Sequence, residues 1–169
     1  TLTKYDYCGR IVWRLNGLFH HSITFEDENT FWVWKGKALV KVNYQSGQII
    51  KRIPLKTVMD ANPMIDIFGI RQADHPKGSR WVISGGGYWH ENDIDPLPRE
   101  LETVYPGFRA GDLLVSLRSP NLVYVMDQDT YKVKWWRQGL VRRQHDPDWN
   151  DRGTITIFNN NMHRGYSNI

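Results

Sequence analysis

The sequence predicts an all-β chain built from short antiparallel strands and organised as part of a β-propeller. Three observations lead there. Apolar and polar residues alternate over runs of roughly five residues, separated by turn signals every eight to twelve or so. Aromatic residues are abundant, with Trp 8 and Tyr 8 in 169 residues, and aromatic side chains favour strands and bury large areas. The order of these runs recurs along the chain.

Taken in order, residues 9–15 alternate like a half-buried strand, and Asn16-Gly17 ends it with the strongest short turn signal. Residues 19–25, 30–34, 38–42 and 48–53 read as four further strands, joined by polar or glycine-containing turns. Residues 54–80 form an insertion in which Pro54, Pro63 and Pro76 prevent a long regular element, although Leu55 to Ala61 fits a short helix. Val82 to Ser84 resumes a strand, and Gly85-Gly86-Gly87 reads as a turn. These glycines lack the spacing of a dinucleotide fingerprint, and no cofactor is expected. A polar segment from His90 to Asp95 precedes a second insertion at 96–110. Strands follow at 113–117, 122–126 and 130–137. Another polar segment, Arg142 to Trp149, leads through a turn into a last strand at 154–158.

The repeat explains why these pieces belong together. Leu39 to Gly47 matches Leu122 to Thr130, and Arg10 to Gly17 matches Lys132 to Gly139. Three polar segments then align: His21-Ser22-Ile23-Thr24, Asn92-Asp93-Ile94-Asp95 and His145-Asp146-Pro147-Asp148. Without the two insertions the spacing approaches the roughly 40–50 residues of a propeller blade. In a propeller the innermost strand of each blade lines a central channel, so equivalent positions converge. Residues 1–169 would form part of one propeller domain, covering about two to three blades. Propellers typically close with about four to eight blades, so other chain segments or subunits are expected to complete the ring.

Composition narrows the function classes. The net charge of +4, with a pI near 9.2, suits an anionic ligand. The basic residues are scattered, so no nucleic-acid partner is expected. No stretch approaches the roughly 18 apolar residues of a membrane helix. Cys8 is the single cysteine, so no intrachain disulfide forms. The absence of an initiator Met fits a processed or partial product.

The converging positions hold His20, His21, His90, Asn92 and His145, with Arg118 at the end of the 113–117 strand. Such residues suit three roles. They can satisfy backbone groups at blade corners. Three histidines can ligate a metal, but no close ligand pair such as HExxH or CxxC is present, and no metal is expected. Histidine, arginine and an amide can also surround a tetrahedral anion, with one histidine as nucleophile or acid/base. Trp89 and Trp149 flank these segments and are candidates for stacking on a substrate ring. Trp32, Trp34, Trp135 and Trp136 are expected to pack between blades, and His75 to lie in a loop.

Four motifs in order bear on the choice. They are His90-Glu91-Asn92-Asp93, Asp112 to Arg118, Gln144-His145-Asp146 and Phe158-Asn159-Asn160. Together they resemble the arylsulfate sulfotransferase family from about residue 9 onward. The resemblance implies a six-bladed propeller that moves a sulfuryl group from a phenolic sulfate ester to another phenol, without a nucleotide donor. It implies a transient sulfohistidine at His145, with His90, Asn92 and Arg118 on the sulfate oxygens. His20 or His21 would supply a further histidine. It also implies a periplasmic or secreted location. The last motif departs from the family's Phe-Asp-Asn-Gly pattern at Asn159 and Asn161. A propeller that keeps an anion-binding pocket without turnover is the alternative.

Overall fold

The computed structural model describes residues 1–68, 89–161 and 164–169. His75, the strand expected at 82–84, the glycine turn at 85–87 and Met162-His163 lie outside the described residues. The described strands are β1 (Leu2–Tyr5), β2 (Ile11–Leu15), β3 (Phe19–Phe25), β4 (Thr30–Lys35), β5 (Ala38–Asn43), β6 (Ile49–Pro54), β7 (Glu91–Pro96), β8 (Leu113–Leu117), β9 (Leu122–Met126), β10 (Val133–Gln138), β11 (His145–Trp149) and β12 (Ile155–Phe158). Helix α1 (Leu55–Ala61) follows β6, and a 3-10 helix (Arg99–Val104) lies between β7 and β8.

The strands form four antiparallel sheets, each a meander: β1-β2, β3-β4-β5-β6, β7-β8-β9-β10 and β11-β12. The sheets stack face to face, and the side-chain alternation of the middle strands shows how. In β4, Phe31 and Val33 face the first sheet, where Leu2, Trp13 and Leu15 pack on them. Trp32 and Trp34 face the other way, against Leu113, Val115, Leu117, Leu122 and Tyr124 of the third sheet. Leu114, Val123 and Val125 point onward to Trp149, Ile155 and Ile157 of the fourth. Strands buried on both faces read as continuous apolar runs, as β8 and β9 do. Trp32 and Trp34 are fully buried between sheets and Trp135 packs against the last interface, while Trp136 is 39% exposed.

The meanders repeat in detail. Asn43 Oδ1 accepts the backbone N–H groups of Gln45 and Ser46. Asp127 Oδ1 does the same for Asp129 and Thr130. These Asx turns place Asn43 and Asp127 at one repeat position, one residue away from the pairing expected from sequence. Gly47 (φ 73) and Tyr131 (φ 62) then occupy the same left-handed place.

Two insertions are tied down by polar anchors. Asn62, after α1, accepts the Val133 N–H and donates to the Tyr131 carbonyl. Tyr105 of the 96–110 segment accepts the Asn150 N–H at 2.8 Å, and its ring stands edge-on to Trp149.

Two features differ from the sequence reading. β1 is an additional strand, too short to show a period by itself. The polar segments at 91–96 and 145–149 are themselves strands, each the first of its sheet, concealed by aspartates that are poor strand formers. β7 lies between β3 and β11 and touches both.

The core makes a test that separates apolar from polar burial. Leu117→Ala, at a fully buried contact between sheets, is expected to lose about 2–5 kcal/mol. Tyr124 carries a buried hydroxyl with no hydrogen-bond partner among the described residues, so Tyr124→Phe is expected to be neutral or stabilising. Urea unfolding of both variants measures this, and a loss above about 1 kcal/mol for Tyr124→Phe contradicts it.

Candidate active site

An open cleft of ≈ 510 Å³ lies where β3, β7 and β11 meet. That volume falls within the usual range for small-ligand sites. His21, Ser22, Asn92, Asp93, His145, Asp146, Phe158 and Asn160 line it.

A backbone irregularity delivers these residues. In β3, β7 and β11, each the first strand of its sheet, the pairing register slips at one place: between His20 and Ile23, between Glu91 and Asp93, and between His145 and Pro147. The extra residues are His21-Ser22, Asn92 and Asp146. A β-bulge of this kind breaks the alternation and re-aims side chains. His21 (φ 60), His90 (φ 47) and Asp146 (φ 52) take left-handed backbone at or beside the bulges. Histidine, asparagine and aspartate tolerate that region better than most residues. The register corrects the sequence alignment: His20, Glu91 and His145 are equivalent ladder positions, rather than His21, Asn92 and His145.

His20 and His21 separate clearly. His21 lines the cleft, while His20 turns away, its Nε2 3.0 Å from the Gly36 carbonyl. Their Nδ1 atoms are 2.6 Å apart. The His90 ring stands edge-on to His21, with centroids 5.2 Å apart. Arg118 is the first residue of the β8–β9 turn, and its N–H donates to the His90 carbonyl at 3.0 Å. The 96–110 segment therefore separates these two residues in sequence but not in space. Asn92 donates weakly, at 3.5 Å, to the carbonyl of Gln144.

Gln144 positions β11. Its side chain is wholly buried, and Nε2 lies within 3.2 Å of Ser116 Oγ and within 3.1 Å of the Leu117 and Leu122 carbonyls. The next residue, His145, has Nδ1 3.0 Å from Asn160 Nδ2. The last motif keeps its shape despite its altered letters. Asn159 Oδ1 accepts the Arg142 and Asn161 N–H groups, as a carboxylate would. Asn161 sits at φ 46, a conformation that suits glycine and is tolerated by asparagine.

The two tryptophans lie elsewhere. Trp149 is buried against Tyr105 and Phe108 and donates to the Asp95 carbonyl at 3.0 Å. Trp89 packs on the interface between the second and third sheets, with Nε1 directed at the Phe68 carbonyl. Asn160, Ser22, Asp93, Asp146 and Phe158 line the cleft without having been singled out from sequence. The aspartates and Ser22 stood inside the aligned segments, and Phe158 and Asn160 inside the fourth motif, which was the available signal. Among the described residues, no three His, Cys, Asp or Glu groups are arranged to hold a metal ion.

Electrostatics divides the cleft. Burial, with His20, His90, His145 and Arg118 nearby, pushes His21 down to about 4. Burial and then Arg118 lower His145 as well, opposed by the Arg143 carbonyl. Burial lowers Arg118, which remains a cation at any ordinary pH. Both cleft histidines are therefore neutral near pH 7 and face a fixed positive charge. The carboxylates show the opposite response. Burial raises Asp93 to about 6 and Asp95 to about 7, reinforced by mutual repulsion with Asp146 and Asp148. Arg118 thus favours an anion beside the cleft histidines, and Asp93 and Asp95 keep their protons to higher pH than free carboxylates.

The family model for arylsulfotransferases (ASST) matches residues 1–168. The chain belongs to the arylsulfotransferase family. No individually curated protein and no solved structure matches it. The match spans the whole stacked-sheet unit, so the cleft at β3, β7 and β11 lies within the arylsulfotransferase region.

Asp95 gives a pH test of this electrostatic picture. Its folded pKa is raised, so the folded state holds a proton that the unfolded state has lost. Its contribution to stability is therefore present below the unfolded value near 3.8 and is lost as pH rises through about 7. Asp95→Asn cannot ionise, and its Oδ1 can still accept the Trp149 N–H. The variant is expected to gain at least about 1 kcal/mol relative to the parent between pH 5 and pH 8, measured by urea unfolding. An unchanged difference across that range contradicts the assignment.

Proposed function

We propose that this arylsulfotransferase chain transfers a sulfuryl group from a phenolic sulfate ester to a phenol, with His145 as the covalent acceptor. The observation that carries the reading is the meeting of a neutral, partly buried His145 with the Arg118 cation beside the His21–His90 pair. A neutral imidazole offers a lone pair to sulfur. Arg118, His90 and Asn92 supply donors for the sulfuryl oxygens as the S–O bond breaks. His21, at the cleft wall, exchanges a proton with the phenolic oxygen. In the first half-reaction the His145–sulfur bond forms and phenolate leaves. In the second, the acceptor phenol attacks sulfur and releases His145.

The four stacked sheets support a propeller in which β3, β7 and β11 face the channel. On this reading residues 1–169 are part of one such domain, with insertions at 54–80 and 96–110. The family resemblance favours six blades and a periplasmic or secreted setting. The face of the fourth sheet, formed by β11 and β12 alone, supports completion by further chain segments or subunits.

The test uses the complete chain with a chromogenic aryl sulfate. His145→Ala is expected to abolish transfer while unfolding like the parent. Arg118→Lys is expected to lower kcat by about 10²–10³. Initial-rate plots should show the parallel lines of a ping-pong reaction. Full activity in His145→Ala contradicts the reading, and a folded parent without turnover favours an anion-binding propeller.

A further inference from the structure

His20 stands outside the cleft, yet its position is strongly determined. Its Nε2 faces the Gly36 carbonyl at 3.0 Å, and its Nδ1 faces His21 Nδ1 at 2.6 Å. A carbonyl only accepts, so His20 Nε2 must carry a hydrogen. That leaves two arrangements. With His20 neutral, its Nδ1 is a lone pair that accepts from His21 Nδ1–H, and His21 Nε2 is bare. With His20 protonated, its Nδ1–H donates to His21 Nδ1, and His21 carries its hydrogen on Nε2. No hydrogen-bond partner occupies His21 Nε2 among the described residues, and His21 lines the cleft.

The two arrangements differ by one proton, and the cleft ring is neutral in both. We propose that His20 and His21 form a two-imidazole proton relay, in which His20 stores the charge and His21 Nε2 delivers or receives the proton. This rests on the sulfuryl-transfer reading only for the identity of the reacting oxygen.

The chemistry balances. In the loaded state His20 holds two ring hydrogens and His21 holds one, at Nε2. When the phenolate departs, its oxygen takes the Nε2 proton of His21. The shared proton passes from His20 Nδ1 to His21 Nδ1, and both rings end neutral. In the second half-reaction the acceptor phenol gives its proton to His21 Nε2. The Nδ1 proton returns to His20, and the phenol oxygen bonds to sulfur.

The surroundings explain why a relay is needed. His21 faces His90, His145 and Arg118, and these together with burial oppose a positive charge on its ring. A single imidazolium at that place is disfavoured near neutral pH. His20 lies one ring further out, beside Glu91 of β7, whose carboxyl interacts with both His20 and Lys37. Moving the charge from His21 to His20 carries it away from Arg118 while preserving a donor at the cleft face. The bulge makes this possible, because His20 is the last paired residue before the slip and His21 is the first residue out of register.

The test has two arms, both on the full chain. The first is long-range ¹H–¹⁵N NMR of the imidazole nitrogens across pH, which needs no transferase activity. The expected result is a concerted exchange: His21 carries its hydrogen on Nδ1 at high pH and on Nε2 once His20 is protonated. In His20→Gln, whose amide oxygen can accept but cannot take a proton, His21 should stay Nδ1-protonated from pH 6 to 9. A His21 tautomer that does not change with pH in the parent overturns the relay. The second arm follows the first half-reaction alone, as single-turnover release of phenol from a series of aryl sulfates with no acceptor present. His20→Gln should lose about 10²-fold or more with poor phenolate leaving groups. It should remain near parental with nitrophenyl sulfate, whose phenolate needs no proton. Equal losses across the series overturn the relay, because a structural role has no reason to track leaving-group basicity. A tautomer exchange in a protein without turnover supports the relay and counts against the sulfuryl-transfer reading.

Discussion

The cleft depends on one irregularity that occurs in each of three strands. β3, β7 and β11 all lose register at the same level, one or two residues being added opposite a regular partner strand. A regular strand would send alternate side chains into the two flanking sheets and leave few polar groups facing the common edge. The slip turns His21, Asn92 and Asp146 out of that alternation. It requires left-handed backbone at His21, His90 and Asp146, at about 1–3 kcal/mol each. The packed sheets hold the strands in place against that cost. Trp32, Trp34, Leu117 and Tyr124 fill one interface, and Leu114, Val123 and Trp149 fill the next. Stability and site geometry are thus coupled through the same four sheets.

The polar arrangement follows from where each strand's bulge aims its residues. His90, His145 and Arg118 act on His21, while Asp93, Asp146 and Asp148 act on Asp95. Burial alone would discharge both groups. It does discharge His21, and it keeps Asp95 protonated to about pH 7. Arg118 retains its charge, because a guanidinium does not give up its proton under such conditions. The net result is a lasting positive centre beside neutral imidazoles, a combination suited to an anion with a reactive centre. Gln144 shows how little freedom the support leaves. It joins β11 to the β8–β9 hairpin immediately before His145.

Much of the architecture was legible in the sequence. The strands at 19–25, 30–34, 38–42, 113–117 and 122–126 and the helix at 55–61 announce themselves through alternation, apolar runs and turn residues. Strands β7 and β11 did not, because aspartates and a proline conceal a strand pattern. Convergence of His21, Asn92 and His145 was readable from the repeat, and Arg118 was reached from the end of its strand, but the exact register was not. A bulge adds a residue without leaving a fixed sequence signature, so the alignment fell one position away from the ladder. Trp149 looked like a cleft residue by adjacency. It is placed by strand alternation instead, which turns it into the interface with Tyr105 and Phe108. Asn160 stood in the fourth motif, but its contact with His145 follows from the β11–β12 pairing.

The proposed reaction turns on a sulfuryl group carried by His145 between donor and acceptor. Its most direct measurement is mass spectrometry of the full chain, mixed with an aryl sulfate in the absence of an acceptor, quenched in alkali and digested. The expected result is one added SO₃ on the peptide containing His145, with fragment ions placing it on that imidazole and its disappearance when a phenol is added before quenching. An unmodified His145 in a protein that turns over, or SO₃ on another residue, would contradict it.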